Sequence, residues 1–180
     1  GKTSHALHLS HYAAREGFRV LVIDLDPQAT LTTAFGLVPG LNVGADDDIG
    51  PSLTADPELI RHSIKRTRWN EIDLVPAQLS LQYTDWQMLQ ARDGDSQRLG
   101  PLPQRLRQAL EQVADGYDLI VMDTPPALGM LSLNAIAAAA NYIRGDGASA
   151  VVAGGVESIS MPSLGAGKGN MDPALSEAHP

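Results

Sequence analysis

Phe18-Arg19-Val20-Leu21-Val22-Ile23-Asp24-Leu25-Asp26-Pro27-Gln28 reads as a short strand running into an acidic loop. The apolar run is too short for a helix and rich in β-branched residues, which suits a strand buried on both faces of a parallel sheet. Far downstream the pattern recurs: Asp118-Leu119-Ile120-Val121-Met122 is a second such strand and ends in Asp123-Thr124-Pro125-Pro126. Upstream, Ala6, Leu7, Leu9, Ala13 and Ala14 fall at helical spacing, with Gly17 as the stop. Ligands of open α/β sheets bind outside the carboxyl ends of the strands. The two acidic clusters are therefore expected to converge where the first helix begins.

That helix begins with Gly1-Lys2-Thr3-Ser4, which matches the end of a phosphate-binding loop, G-x-x-x-x-G-K-[ST]. In such loops backbone N–H groups cradle phosphates, the Lys reaches the outer phosphates and the following hydroxyl ligates Mg²⁺. A bare G-K-T is a weak signal. Its weight comes from the two acidic strand ends that aim at the same place.

The segments between the strands read less sharply. Residues Asn42 to Pro57 carry several Gly and Pro and are expected to form a loop, with Asp46-Asp47-Asp48 solvated. Glu71 to Pro76 alternates and reads as a short strand, and Leu81 to Ala91 as a helix broken by Asp93-Gly94-Asp95. Leu106, Ala109, Leu110 and Val113 predict a helix over Pro103 to Ala114 with Gly116 as stop, and Leu131 to Ala140 reads as another. Strand–helix alternation of this kind implies a parallel sheet covered by helices.

Composition narrows the function classes. The 180 residues suffice for one domain with a sizeable core. A net charge of −8 argues against a general nucleic-acid-binding surface in this chain. With no cysteine, a zinc-thiolate site, a disulfide framework and an iron–sulfur cluster are excluded. No window approaches ~18 consecutive apolar residues, and no signal peptide is visible at residue 1. His5, His8 and His11 lie three apart, but each step drifts by about 60° around a helix, so the trio does not share one face for a metal. Gly165-Ala166-Gly167-Lys168-Gly169 imitates a phosphate loop but lacks a hydroxyl residue after Lys168 and a strand before it.

G-K-T-S, V-L-V-I-D-L-D-P-Q-A-T-L-T and D-L-I-V-M-D-T-P-P-A-L-G together resemble the ParA-type partition ATPases. These sit in the deviant Walker group, with MinD and the nitrogenase iron protein; the missing cysteines remove the last of these. Asn42-Val43-Gly44 through Leu74-Val75-Pro76-Ala77-Gln78-Leu79-Ser80-Leu81 is similar to the plasmid-partition branch, and the resemblance runs from residue 1 to about 140. It implies an α/β P-loop NTPase fold, a mostly parallel sheet flanked by helices, with residues 1–140 forming an incomplete domain.

The implied activity is Mg²⁺-dependent ATP hydrolysis driving plasmid or chromosome partition. In the family this is done by an ATP-switched homodimer with a ParB-type centromere-binding partner and non-specific DNA, at a cytoplasmic, nucleoid-associated location without membrane attachment. Residue by residue, Gly1, Lys2, Thr3 and Ser4 would hold ATP. Lys2 would also act in catalysis, together with Asp26, the match to the carboxylate that orients the attacking water. Thr3 and Asp123 would serve Mg²⁺, Asp123 through water, and Asp24 would support them near the metal or else act as a helix cap or a solvated strand end. The family's signature Lys lies in the first half of the loop, upstream of Gly1, so the polypeptide as it stands is expected to bind ATP weakly or not at all and to show no measurable turnover.

Near Asn141 the character changes, and seven of the 17 glycines fall after residue 143. Ile143 to Met161, with A-G-G-x-E-S-x-S as its mark, resembles the segment that follows the catalytic cysteine of thiolases. Residues 141–180 therefore read as a foreign-looking tail, thiolase-like and then Gly-rich, or as a divergent partition-ATPase tail. Thiolase chemistry itself is impossible without a cysteine. On either reading Val151 and Val152 are expected to add a strand to the sheet. The competing functional reading is a non-catalytic chimeric remnant that binds no nucleotide. A MinD-like division regulator would need an amphipathic membrane helix, which Ala174 to Pro180 does not offer.

Overall fold

The computed structural model describes residues 1–90, 99–144 and 151–153. Asp93-Gly94-Asp95, the Gly165–Gly169 loop and the thiolase-like residues beyond 153 lie outside the described residues.

Among the described residues five strands form one sheet in the order β2-β3-β1-β4-β5. The central pair is β1 (Val20–Asp24) and β4 (Leu119–Asp123), parallel and in register from Val20↔Leu119 to Asp24↔Asp123. On the far side of β1, β3 (Ile72–Val75) runs parallel to it, and the two-residue β2 (Lys65–Arg66) closes that edge antiparallel. At the other edge, β5 (Val151–Ala153) pairs parallel with β4. The expected tail strand therefore docks on the sheet.

Every residue of β1 and β3 is buried. This corrects the alternating pattern read for Glu71 to Pro76: β3 is covered on both faces, so Asp73 is buried too, one oxygen accepting from the Tyr117 hydroxyl at 2.8 Å and the other paired with Arg66 at 3.3 Å. β1 starts two residues later than read, because Gly17 adopts a left-handed turn (φ +88°) and leaves Phe18 exposed.

On one face, α1 (Lys2–Arg15) and α2 (Thr30–Ala34) cover Val20, Val22, Leu74 and Val121 with Ala6, Ala13, Leu31 and Phe35. His11 packs here against Phe35 and Trp69, at ring-centroid distances of 5.6 and 4.3 Å, so it is an aromatic-core residue. Among the described residues no cluster suited to a metal contains any of the three histidines.

The opposite face is covered by α3 (Gly50–Thr54), α4 (Ile60–Ser63), α5 (Ser80–Gln90), α6 (Arg105–Glu111) and α7 (Met130–Arg144), which bury Leu53, Ile60, Leu81, Met88, Leu106, Leu110, Leu131 and Ala135 around Leu21 and Ile23. The α6 helix is shorter than Pro103 to Ala114, with 3₁₀ turns at Leu102–Gln104 and Ala114–Gly116 on either side. The α7 helix begins at Met130 and continues through Arg144, past the change in sequence character at Asn141, because Asn141 to Arg144 contains no Gly or Pro to stop it.

Two expectations for residues 42–57 are overturned. Gly50-Pro51 opens a helix, since Pro in a first turn gives up an N–H that has no partner there anyway. Of the three aspartates only Asp46 is fully solvated. Asp47 is half-buried and pairs with Lys65 at 2.6 Å, while Asp48 is only 1% exposed, accepts from the Gly50 N–H at 2.7 Å and from the Ser80 hydroxyl, and so ties this segment to the start of α5.

Candidate functional site

The first turn of α1 faces the carboxyl ends of β1 and β4. Gly1 is the residue before the helix; no side chain caps this end, and no acidic residue occupies its first turn. Its leading N–H groups and the positive end of its dipole are therefore available to an anion. Gly1 and Ser4 are exposed, and a Cβ on Gly1 would meet nothing within 4 Å. Lys2 folds back, and its ammonium donates to the Pro125 carbonyl at 3.2 Å.

Thr3, Lys2 and Asp26 all act on Asp123. This carboxylate ends β4, is 2% exposed, and among the described residues neither of its buried oxygens has a hydrogen-bond partner. Burial, chiefly, raises its proton affinity above the ordinary carboxylate range, and Asp26 adds to the rise. The Thr3 hydroxyl and the Lys2 cation pull the other way without bonding either oxygen in good geometry. A buried carboxylate without donors carries a desolvation cost of several kcal/mol unless something compensates it. A hydroxyl, an uncommitted carboxylate and a facing cation are the donor set of a Mg²⁺–phosphate site, so the residues present fit that group.

Asp24, the neighbour of Asp123 across the sheet, is fully buried but fully engaged. One oxygen accepts from the Asp26 N–H at 3.1 Å; the other accepts from the Thr32 N–H at 2.8 Å and the Thr32 hydroxyl at 2.7 Å. Thr32 in turn accepts from the Ala77 N–H at 2.8 Å, joining the ends of β1 and β3 to α2. Burial outweighs these bonds and lifts Asp24 to about 7. Its place is beside the site, where it anchors the loop that carries Asp26.

Asp26 is half-buried and accepts from the Gln28 N–H at 3.0 Å, folding Asp26-Pro27-Gln28 into a tight turn. Ala29 follows with φ +54°, a left-handed conformation that a non-glycine residue adopts at a cost of about 1 kcal/mol or more. Such strain gathers in switch and ligand loops. Between this loop and Pro125-Pro126 lies a cleft of about 310 Å³, reached also by Asp85 of α5. A larger cleft of about 750 Å³, lined by Arg19, Asp73 and Tyr117, opens at the opposite end of the sheet, away from this constellation.

The structure thus brings together Lys2, Thr3, Asp26 and Asp123, sets Asp24 against them, and leaves Gly1 and Ser4 exposed on the helix start. Thr32, the Pro125 carbonyl and Asp85 went unnoticed in the sequence. Thr32 could have been flagged by its hydroxyl at the start of an apolar helix; the other two carry no local signal.

A family model described as an AAA domain matches residues 1–160. A putative replication protein A of Rhizobium rhizogenes is 37% identical over 149 residues, covering 79% of this chain and 36% of that protein. The chromosome-partitioning ATPase Soj of Thermus thermophilus is 36% identical over 144 residues, covering 79% of this chain and 48% of its own length. The chain thus spans between a third and a half of these relatives. Cobyrinic acid a,c-diamide synthase from Mycobacterium smegmatis, solved with a bound ATP analogue and magnesium, superposes with a TM-score of 0.66 at 26% identity, over 91% of this chain and 59% of that one.

Proposed function

This chain belongs to the AAA-domain family, among the ParA-type partition ATPases, and from that premise we propose that residues 1–140 carry a Mg²⁺–ATP site serving DNA partition. The observation that carries the proposal is Asp123, a buried carboxylate with no well-formed hydrogen bond among the described residues, facing Thr3 and Lys2 at an uncapped helix start.

Phosphoryl transfer asks for positioning and charge neutralisation. Lys2 would leave the Pro125 carbonyl and lay its cation on the β- and γ-phosphates. The N–H groups of the first turn of α1 would receive phosphate oxygens, with Gly1 and Ser4 at the rim. Thr3 and Asp123 would hold Mg²⁺, Asp123 through water, with Asp24 fixing the neighbouring strand end. When bound, Mg²⁺ would neutralise charge developing on the phosphates. Asp26 would orient the attacking water from the strained turn before Ala29.

In partition, hydrolysis at this site would switch a homodimer between states, with non-specific DNA and a ParB-type centromere-binding protein as partners, in the cytoplasm at the nucleoid. Among the described residues no helix is long and apolar enough to cross a membrane. Calorimetric titration of the chain with ATP tests the site: weak binding is expected with Mg²⁺ and none in its absence, and Lys2→Ala should abolish it. Equal affinity with and without Mg²⁺, or binding that survives Lys2→Ala, overturns the proposal.

A further inference from the structure

Asp85 lies on α5, far in sequence from every motif described above, yet it reaches the loop on which the site depends. One carboxylate oxygen accepts from the Leu131 N–H at 2.9 Å. Leu131 is in the first turn of α7, where N–H groups have no partner within the helix and a negative charge is favourable. The residue just before that turn is Gly129, and it is packed against the same carboxylate. A Cβ built there would lie 2.6 Å from one oxygen of Asp85 and 2.8 Å from the other. A side chain at 129 would have to displace the Asp85 carboxylate from this position.

Residues 124–129 connect β4 to α7. One end leaves Asp123; the other is pinned by Asp85, and the Ser132 hydroxyl folds the loop further by donating to the Ala127 carbonyl at 2.8 Å. In between, Pro125 presents the carbonyl that receives Lys2. Asp85 also lines the cleft of about 310 Å³ whose opposite walls are Asp26-Pro27-Gln28 and Pro125-Pro126. A single carboxylate from α5 therefore sits between both loops that carry site residues, and it fixes one of them.

We infer that Asp85 is a positioning residue for the Mg²⁺–nucleotide site, holding the first turn of α7 so that the 124–129 loop keeps Asp123 and the Pro125 carbonyl in register with Lys2. Asp85 touches neither phosphate nor metal; it acts through the loop. The inference rests on the proposed nucleotide site for its binding readout and on geometry alone for its exchange readout.

The test uses the full chain and three variants, Asp85→Asn, Asp85→Ala and Gly129→Ala. Amide hydrogen exchange is read without nucleotide at residues 127–131, with the amides of β1 and β4 as internal controls. In Asp85→Ala, exchange over 127–131 should rise about tenfold or more while the β1 and β4 amides hold, the pattern of a local opening and not of global loss of stability. Asp85→Asn keeps a carbonyl oxygen for the Leu131 N–H and should restore most of the protection. Gly129→Ala should mimic Asp85→Ala, and combining the two should add little, because both break one contact.

ATP binding with Mg²⁺ should then weaken by about 10–100-fold in Asp85→Ala, the range for outer-shell groups of metal sites, with Asp85→Asn in between. Unchanged exchange at 127–131 in Asp85→Ala overturns the inference, as does a rise shared equally by β1 and β4. Altered exchange with unaltered Mg²⁺–ATP affinity also overturns it, reducing Asp85 to a helix cap. A wild-type chain that binds no Mg²⁺–ATP defeats the functional reading instead, and the exchange data still decide whether Asp85 holds the loop.

Discussion

The ends of β1 and β4 are neighbours in register, buried to nearly the same degree, and each finishes in an aspartate. They meet that burial in opposite ways. At the end of β1, Asp24 accepts three hydrogen bonds from Thr32 and Asp26 and is tied into the frame. At the end of β4, Asp123 has no well-formed hydrogen bond among the described residues, with Thr3, Lys2 and Asp26 around it. One carboxylate holds the fold; the other is held ready by it. A site needs both, because an uncompensated charge can be kept in place only by a surrounding structure that over-determines its position.

The largest expected consequence is in the pH dependence of stability. Burial lifts Asp24 from its ordinary 3.8 to about 7 in the folded chain. The folded state therefore keeps a proton that the unfolded chain has released. The stabilisation this provides is complete below about pH 4 and is lost as pH rises to about 7, on the order of 4 kcal/mol over the window. Asp123 is shifted in the same direction and adds to the slope. Urea denaturation of the wild type between pH 4 and 8 should show stability falling with pH, with a shallower fall in Asp24→Asn. A flat profile, or one that rises through this window, would show that Asp24 is not the buried acid described here.

Next in size is removal of the anchor. Asp24→Ala leaves the Thr32 and Asp26 N–H groups buried or half-buried without their acceptor, and should cost about 3 kcal/mol at pH 6. Thr32→Val removes the hydroxyl that donates to Asp24 and accepts from the Ala77 N–H, and should cost about 2 kcal/mol, whereas Thr32→Ser should lie within about 1 kcal/mol of wild type. Chemical denaturation ranks all three. If Thr32→Val and Thr32→Ser prove equal, the hydroxyl is not the link between β1, α2 and β3.

The contrast also marks what could be read from sequence. Val20–Asp24 and Leu119–Asp123 were visible as strands because short β-branched runs ending in polar loops have few other uses in a chain. Their meeting with Gly1-Lys2-Thr3 followed from the rule that sites form at carboxyl strand ends. What separates Asp24 from Asp123 was not visible. It depends on a hydroxyl eight residues away and an amide beyond β3, and nothing local in Asp24-Leu25-Asp26 says which carboxylate will find donors. Asp48 was misread for the same reason: an acidic run is usually solvated, but Ser80 lies 32 residues on and folds back onto it. The helix at Gly50–Thr54 was missed because Gly-Pro looks like a breaker, while the burial of Ile49 and Leu53 that anchors the segment becomes evident only in the folded chain.

The smallest stability effect is also the one that most sharply separates the two strand ends, because its sign reverses. Asp123→Asn keeps the shape of the side chain and removes a charge that the folded chain leaves unpaired. Where Asp24→Ala destabilises, Asp123→Asn should stabilise by about 1 kcal/mol, because it relieves the desolvation cost of a buried carboxylate. The gain should come with a loss: millimolar Mg²⁺ should raise the melting temperature of the wild type in the presence of ATP and leave that of Asp123→Asn unmoved. Stabilisation together with loss of the Mg²⁺ response is the signature of a residue kept for function at the expense of the fold. If Asp123→Asn destabilises instead, Asp123 has a partner that supports it, and the two strand ends are alike after all.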